Sequence, residues 1–190
     1  MLGSATLSKT KTQIYKVPQG KKASVSIFIA CSEKFIVETM ATADGTATAF
    51  NYTVKQPPIE PSSVKITYKV TDTTTSTTTT YMLTDDGVGN IVDSQGNTVG
   101  TVDYTSGAIS ITLSQAPDAN SQIEVTYKKS ISSTKVELYV NSMKVFINEI
   151  SPLQTIQLTN IALQENDTIE AVAEEDGMVN VGVFGVEVEK

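Results

Sequence analysis

The feature that most constrains the fold of this chain is short-period alternation of apolar and polar residues. In one segment, Val64, Ile66 and Tyr68 alternate with lysine and threonine. Successive side chains of a strand point to opposite faces, so each such segment buries one face and exposes the other to water. The apolar residues are largely valine and isoleucine, whose β-branched side chains favour strands over helices. The sequence therefore predicts an all-β protein with antiparallel sheets.

The predicted strands are short and separated by turn residues. Glycine, proline, asparagine and aspartate cluster between them, as tight turns require. The first two predicted strands flank Pro18 and Gly20 and are expected to form a hairpin. In chain order the predicted strands are 13–17, 23–29, 34–40, 49–54, 64–70, 79–84, 100–105, 108–113, 122–128, 135–140, 144–148, 155–160, 168–173 and 179–188.

The composition changes twice along the chain. Residues 33–130 are rich in threonine, serine, aspartate and glycine, whereas residues 1–32 and 131–190 are more apolar. We expect a discontinuous outer domain, 1–32 plus 131–190, that is an antiparallel, jelly-roll-like β-sandwich. The Thr-rich β-domain, 33–130, would be inserted in it, which requires only that the ends of the insert lie close together.

Several residue types are missing, and their absence excludes classes of function. The chain has no histidine, arginine or tryptophan, and its net charge is −7. Without histidine, the commonest general base and metal ligand is lacking. Without arginine, and with an acidic field, nucleic acid and anionic membrane would be repelled. The sequence predicts no enzyme, no catalytic or metal-binding residue, no cofactor, and neither nucleic-acid nor membrane binding.

Three local features could carry chemistry, and each has a simpler interpretation. Cys31 is the only cysteine and lies in an apolar strand, so we expect a buried core residue. The segment 85–90 superficially resembles a calcium-binding loop, but its acidic residues do not have the spacing of calcium ligands and the closing glutamate is missing. We therefore expect this segment to form β-turns. In the acidic stretch 165–176, Glu170 alternates with Ile169 and Ala171, which predicts a solvent-facing side chain.

The run 73–80, TTTSTTTT, is of low complexity. We expect it to form the exposed tip of a hairpin that joins two strands. The alternative is an edge strand available for pairing with a neighbouring chain.

Two sets of motifs resemble modules of tailed-bacteriophage virion proteins. The outer segments resemble a small β-sandwich with a "VPxGK" hairpin and a closing "VNVxVxGVE" strand, although Ser32 stands where that pattern has asparagine. The matching residues are Val17, Pro18, Gly20, Lys21, 167–170, 179–181 and 185–187. The Thr-rich segment resembles a second phage-associated β-module through 44–46, Phe50, 61–68, 85–90, 100–113, 116–117 and 123–127.

This resemblance implies a non-enzymatic structural protein on the exterior of a virion, assembled in the host bacterial cytoplasm. The first expectation is a capsid decoration, or cement, protein that binds the major capsid protein and itself, as a homotrimer. The alternatives are a tail, collar or baseplate component that binds tail proteins and, from another class, an adhesin-like module for host glycans. We expect contacts through the N-terminal arm and the last strand, at Leu2, Thr6, Leu7, Lys9, Lys11 and Phe184.

Overall fold

A computed structural model describes residues 1–189 and is all-β. Every predicted strand is present, and two further short strands, β1 and β8, are added. In chain order the strands are β1 (Gly3–Thr6), β2 (Thr12–Lys16), β3 (Lys21–Cys31), β4 (Phe35–Thr42), β5 (Ala49–Thr53), β6 (Lys65–Asp72), β7 (Thr77–Asp85), β8 (Asn90–Val92), β9 (Thr98–Asp103), β10 (Ala108–Thr112), β11 (Gln122–Lys128), β12 (Thr134–Val140), β13 (Met143–Ile150), β14 (Thr155–Leu163), β15 (Thr168–Ala173) and β16 (Val179–Glu189).

The chain divides into two compact units. Unit 1 comprises Met1–Lys34 and the segment from Ile131 onward, and unit 2 comprises Phe35–Ser130. Each unit has its own cluster of buried apolar side chains. We propose that unit 2 is an independently folding insertion in unit 1.

Unit 1 is a sandwich of two four-stranded antiparallel sheets, β1-β16-β3-β14 and β13-β12-β15-β2. Numbered within the unit, the strands have the order 1-8-3-6 and 5-4-7-2, which is the strand order of a jelly roll. The predicted jelly-roll-like sandwich is therefore confirmed. Its core lies between the sheets, where valine and isoleucine from β3 and β16 pack on β12 and β15.

The hairpin predicted around Pro18 and Gly20 is wrong. The turn itself exists, because the Lys21 amide donates to the Pro18 carbonyl over 3.3 Å. However, β2 pairs with β15 and β3 pairs with β14 and β16, so the turn connects strands of opposite sheets. The physical reason is that both strands carry an apolar face, and a sandwich core buries both faces at once.

Unit 2 is a single eight-stranded antiparallel sheet in the order β4-β11-β6-β7-β8-β9-β10-β5. The two edge strands, β4 and β5, approach each other, so the sheet curls into a nearly closed barrel. Its interior is filled by alternate residues of every long strand, with Ile66, Ile111 and Ile123 fully buried. The predicted hairpin tip lies in this unit, where β6 and β7 pair from Lys65 with Thr84 to Asp72 with Thr77.

Candidate interaction surface

The outer face of the sheet β1-β16-β3-β14 in unit 1 is almost free of charge. The buried residues of β3 and β16, such as Ile27 and Val181, point into the core. Alternation therefore directs the residues between them outward. The outward residues are Ser4, Thr6, Lys22, Ser24, Ser26, Phe28, Ala30, Thr155, Gln157, Ala162, Asn180, Gly182, Phe184, Val186 and Val188. Of these outward residues, only Lys22, at one end, carries a charge, and we call this surface the uncharged face.

Phe184 gives the uncharged face a flat apolar centre. Its ring packs edge-to-face against Phe28, with the ring centroids 5.3 Å apart. It also lies over Gly182, where an added Cβ would come within 2.8 Å of the ring. Val186 and Val188 continue this stripe, 63% and 55% exposed. Exposed apolar side chains in a row on a flat sheet are typical of a protein–protein contact, because water is released when a partner covers them.

The outer face of the opposite sheet is charged and already internally paired. Glu137 accepts hydrogen bonds from Lys144 over 2.8 Å, from Lys135 over 3.0 Å and from the Tyr139 hydroxyl. Hydrogen bonds from Lys144 and the Tyr139 hydroxyl lower the pKa of Glu137 to about 2. The Lys11 ammonium lies 3.6 Å from the centroid of the Tyr139 ring. These charges satisfy one another beside solvent, as on an ordinary protein surface. Ile147, which pairs with Glu137, is 53% exposed on the same face, so the two outer faces differ in charge and not in the presence of exposed apolar side chains.

The uncharged face is large enough for a stable contact. Four strands spaced about 4.8 Å apart give a width of about 19 Å. The longest strands, β3 and β16, have eleven residues each and therefore a length of about 37 Å. β1 and β14 have only four and nine residues, so the four strands together cover about 570 Å². A contact of that area on each partner buries about 1,100 Å² in all, just above the roughly 1,000 Å² expected of a specific interface.

The structure does not bring the predicted contact residues to one surface. Thr6 and Phe184 lie on the uncharged face, and the Thr6 hydroxyl donates to Asn180 Oδ1 over 2.7 Å. Lys11 lies on the charged sheet, 3.8 Å from Glu170 Oε2. The backbone amide of Lys9 donates to Asp176 Oδ1 over 2.7 Å. The role of these residues in binding stays a prediction.

The N-terminal arm is part of the sandwich of unit 1. Residues Gly3–Thr6 form β1, which pairs with residues 180–183 near the beginning of β16. Leu7 is only 1% exposed and Leu2 is partly buried against the same core. The arm contributes an edge strand to the sandwich because the apolar side chains at positions 2 and 7 find buried sites at its ends.

Three carboxylates that accept from tyrosine hydroxyls, those of Glu187, Glu38 and Asp85, hold neighbouring parts of each unit together, and sequence analysis missed all three roles. In unit 1, the Tyr15 hydroxyl of β2 donates to Glu187 of β16 over 2.7 Å, which links the two sheets. Burial and this hydrogen bond raise the pKa of Tyr15 to about 12. Hydrogen bonds from Tyr15 and Lys21 lower the pKa of Glu187. The link is therefore strongest at neutral pH.

In unit 2, Glu38 is buried and joins the edges of the curled sheet. Its carboxylate accepts hydrogen bonds from the hydroxyls of Tyr127 and Tyr52, over 2.7 and 2.8 Å, and from the Lys55 amide. Burial raises its pKa, but these hydrogen bonds together outweigh burial, so the pKa lies below its ordinary value. Since Glu38 is on β4 and Tyr52 is on β5, the group closes the gap between the edge strands.

Asp85, at the end of β7, is the third of these carboxylates. It accepts hydrogen bonds from the amides of Ser62 and Val64, over 2.6 and 2.8 Å, and from the Tyr104 hydroxyl over 2.7 Å. Burial, together with the bond to Asp85, raises the pKa of Tyr104 to about 12. The carboxylate anchors the loop before β6 to the sheet, which is a structural role.

The simpler interpretations of the candidate chemical features hold where the structure describes them. Asp86 accepts hydrogen bonds from the amides of Val88 and Asn90, as a turn requires. Cys31 is 4% exposed and belongs to the core, and burial raises the pKa of its thiol. For Glu170 the prediction holds in direction only: its side chain leaves the outer side of β15, opposite the buried Ile169 and Ala171, but its Oε2 atom is buried and has no hydrogen-bond partner among the described residues.

Residues 1–189, which the structure describes, contain neither a cluster of metal ligands nor a membrane-spanning helix. No group of three or more potential metal ligands occurs within this range. Nor does any helix in it have the length and apolar character needed to cross a bilayer.

Comparisons with known proteins gave limited likeness. No family model and no curated protein sequence matches the chain. Among solved structures, the VP16-VP17 complex of the two major capsid proteins of bacteriophage P23-77 aligns with a TM-score of 0.33 and 13% identity, over 96% of this chain and 90% of that one. VP17, a capsid protein of the same phage, aligns with a TM-score of 0.31 and 13% identity, over 93% and 88%. Scores this low do not establish a common fold.

Proposed function

We propose that this chain is a non-enzymatic structural protein of a bacteriophage particle, and that it decorates the capsid by binding the head surface through the uncharged face of unit 1. The observation that carries the proposal is the contrast between the two outer faces of the sandwich. The core of a protein interface is depleted of charge and enriched in aromatic residues. The uncharged face has this character, with Phe184 at its centre, and the opposite face does not.

Two further features support a structural role. The strand order of unit 1 is that of a jelly roll, an architecture that viral capsid proteins use. The motifs around Pro18 and in the last strand resemble those of phage virion proteins. On a symmetric shell, one interface of moderate size is repeated many times, and each copy stabilises the assembled state by mass action.

Binding of labelled protein to separated particle fractions tests the proposal. DNA-filled heads and isolated tails of the phage that carries this protein are each mixed with the purified chain and sedimented. Saturable binding to heads at high copy number is the expected result. Saturable binding to tails alone would replace decoration with a tail, collar or baseplate role, and binding to neither would overturn the proposal.

A matched pair of variants tests the face itself. Val186→Lys places a charge in the exposed stripe of β16, and Val145→Lys makes the same change on β13 of the opposite sheet, where the valine is 50% exposed. Both side chains reach solvent, so neither change should unfold the protein. Burying an unpaired ammonium in an interface costs several kcal/mol, so we expect Val186→Lys to reduce head binding at least 100-fold and Val145→Lys to leave it unchanged. Equal effects would reject the assignment of the face.

Self-association is part of the same proposal. We expect the purified chain to form a trimer, as the phage resemblance implies, and analytical ultracentrifugation over a range of concentrations measures its mass. A mass that stays at 20.3 kDa, that of one chain, would remove the trimer from the proposal without affecting head binding.

A further inference from the structure

The β6–β7 hairpin of unit 2 projects beyond the rest of its sheet as a two-stranded ribbon. β6 pairs with β11 from Lys65 to Thr67, and β7 pairs with β8 at Thr84 and Asp85, whereas β6 and β7 pair over their full lengths. The ribbon is held in place at one edge by Asp118. Its amide donates to the Lys69 carbonyl over 2.9 Å, and its carboxylate accepts from the Thr71 amide and hydroxyl, each over 2.7 Å.

A groove runs along the inner face of this ribbon. Its volume is about 640 Å³, which is within the range of small-molecule sites. Its lining includes Asp72, Thr77, Thr79, Tyr81 and Gln115. The threonine run that the sequence presents as a simple hairpin tip therefore places alternate threonines along one side of a concave surface.

Tyr81 provides the groove with a fixed aromatic surface. It is 40% exposed and stacks on Tyr68, with ring centroids 5.3 Å apart and an angle of 15° between the planes. Tyr68 is 5% exposed and belongs to the core of unit 2. Because the buried ring supports the exposed one, Tyr81 does not have to be ordered when a ligand arrives, and less conformational entropy is lost on binding.

The chemistry of the lining selects a class of ligand. The groove has no lysine among its lining residues and carries Asp72, so a phosphate or another anion would be repelled. A purely apolar ligand would displace the water that is hydrogen-bonded to the threonine hydroxyls and the glutamine amide without replacing those hydrogen bonds. A ligand that is neutral, rich in hydroxyls and apolar on one ring face satisfies both requirements. We propose that the groove binds a neutral saccharide, with a sugar ring packed on Tyr81. This site is independent of the uncharged face of unit 1.

Saturation-transfer NMR on the full chain tests the groove, with maltotriose, cellotriose, mannotriose and chitotriose as neutral probes and trigalacturonate as the anionic probe. We expect saturable binding of at least one neutral probe and none of trigalacturonate. Failure of all four neutral probes, or binding of trigalacturonate in preference to them, would overturn the proposal.

Variants then locate the binding. Thr79→Val removes one hydroxyl from the groove, and Thr80→Val makes the same change on the opposite face of β7. Both side chains are exposed, so both variants should fold. One hydrogen bond is worth about 1–1.5 kcal/mol, which predicts roughly 5–10-fold weaker binding for Thr79→Val and no change for Thr80→Val. Tyr81→Ala should abolish binding. Binding that survives Tyr81→Ala, or that responds equally to both threonine variants, would place the saccharide elsewhere and refute the inference.

Discussion

Replacing Glu38 by glutamine tests whether a buried carboxylate closes the curled sheet of unit 2. Glu38 is 7% exposed and its two oxygens accept from three donors, the hydroxyls of Tyr52 and Tyr127 and the amide of Lys55. Glutamine has nearly the same shape, but its NH₂ group cannot accept. At least one donor therefore loses its acceptor inside the protein.

The size of the effect follows from these contacts. A hydrogen bond to a charged group contributes about 1.5–3 kcal/mol, and a buried donor left without a partner costs about 1–3 kcal/mol. Since the remaining carbonyl oxygen retains part of the network, we expect Glu38→Gln to lower the free energy of unfolding of unit 2 by about 2–3 kcal/mol. Glu124→Gln, an exposed change on the neighbouring β11, should alter it by less than about 0.5 kcal/mol.

Urea unfolding followed by tyrosine fluorescence measures this difference, because five of the seven tyrosines lie in unit 2. With a slope of about 1–1.5 kcal/mol per molar urea, the midpoint of Glu38→Gln should fall by about 2 M. The pKa of Glu38 is lowered in the folded protein, so its contribution is complete above the unfolded pKa and is lost as the pH falls through the folded pKa. The gap between wild type and variant should therefore narrow in acid.

Two results would refute this reasoning. One is a midpoint for Glu38→Gln that coincides with that of Glu124→Gln at pH 7, which would mean that the carboxylate contributes nothing beyond an amide. The other is a gap that widens as the pH is lowered below the ordinary glutamate value of 4.5. Such widening would mean that burial outweighs the hydrogen bonds and that the folded protein prefers the protonated acid.

Three further predictions concern the rest of the chain. The pKa values of Tyr15 and Tyr104 are raised from 10 to about 12, so their contribution to the stability of the folded protein is complete below pH 10 and is lost as the pH rises toward 12. The midpoint of urea unfolding should therefore fall between pH 10 and pH 12. It should fall less in the variants Tyr15→Phe and Tyr104→Phe. Leu7→Ala should lower the free energy of unfolding of unit 1 by about 2–4 kcal/mol, while Leu153→Ala, at a side chain 77% exposed, should change the melting temperature very little. A protein consisting of residues 35–130 alone should show the same amide-exchange protection as that segment in the full chain, and loss of protection would contradict independent folding of unit 2.

Much of the fold could be predicted locally because alternation acts within a few residues. Val64, Ile66 and Tyr68 share a face in any strand they form, and all three are buried in the structure. Alternation also places Glu38 on the same face as the apolar Ile36 and Met40, which indicates a buried carboxylate. Sequence analysis did not use this indication. A carboxylate that occupies a core-facing position needs buried donors. Which tyrosines supply them could not be read from the sequence, since Tyr127 is far from Glu38 along the chain.

The sequence by itself determined the fold class, because β-branched residues alternate with polar ones along most of the chain. It also showed a change of composition near residues 33 and 130, and the lack of histidine and arginine. The tertiary structure alone decided which strands pair, and so separated β2 from β3 into opposite sheets. It also decided which outer face of the sandwich is almost free of charge, and it placed Thr79 and Tyr81 in one groove. The reason is physical: side-chain alternation is set by bonds within one strand, whereas strand pairing depends on apolar burial between segments that are distant in sequence.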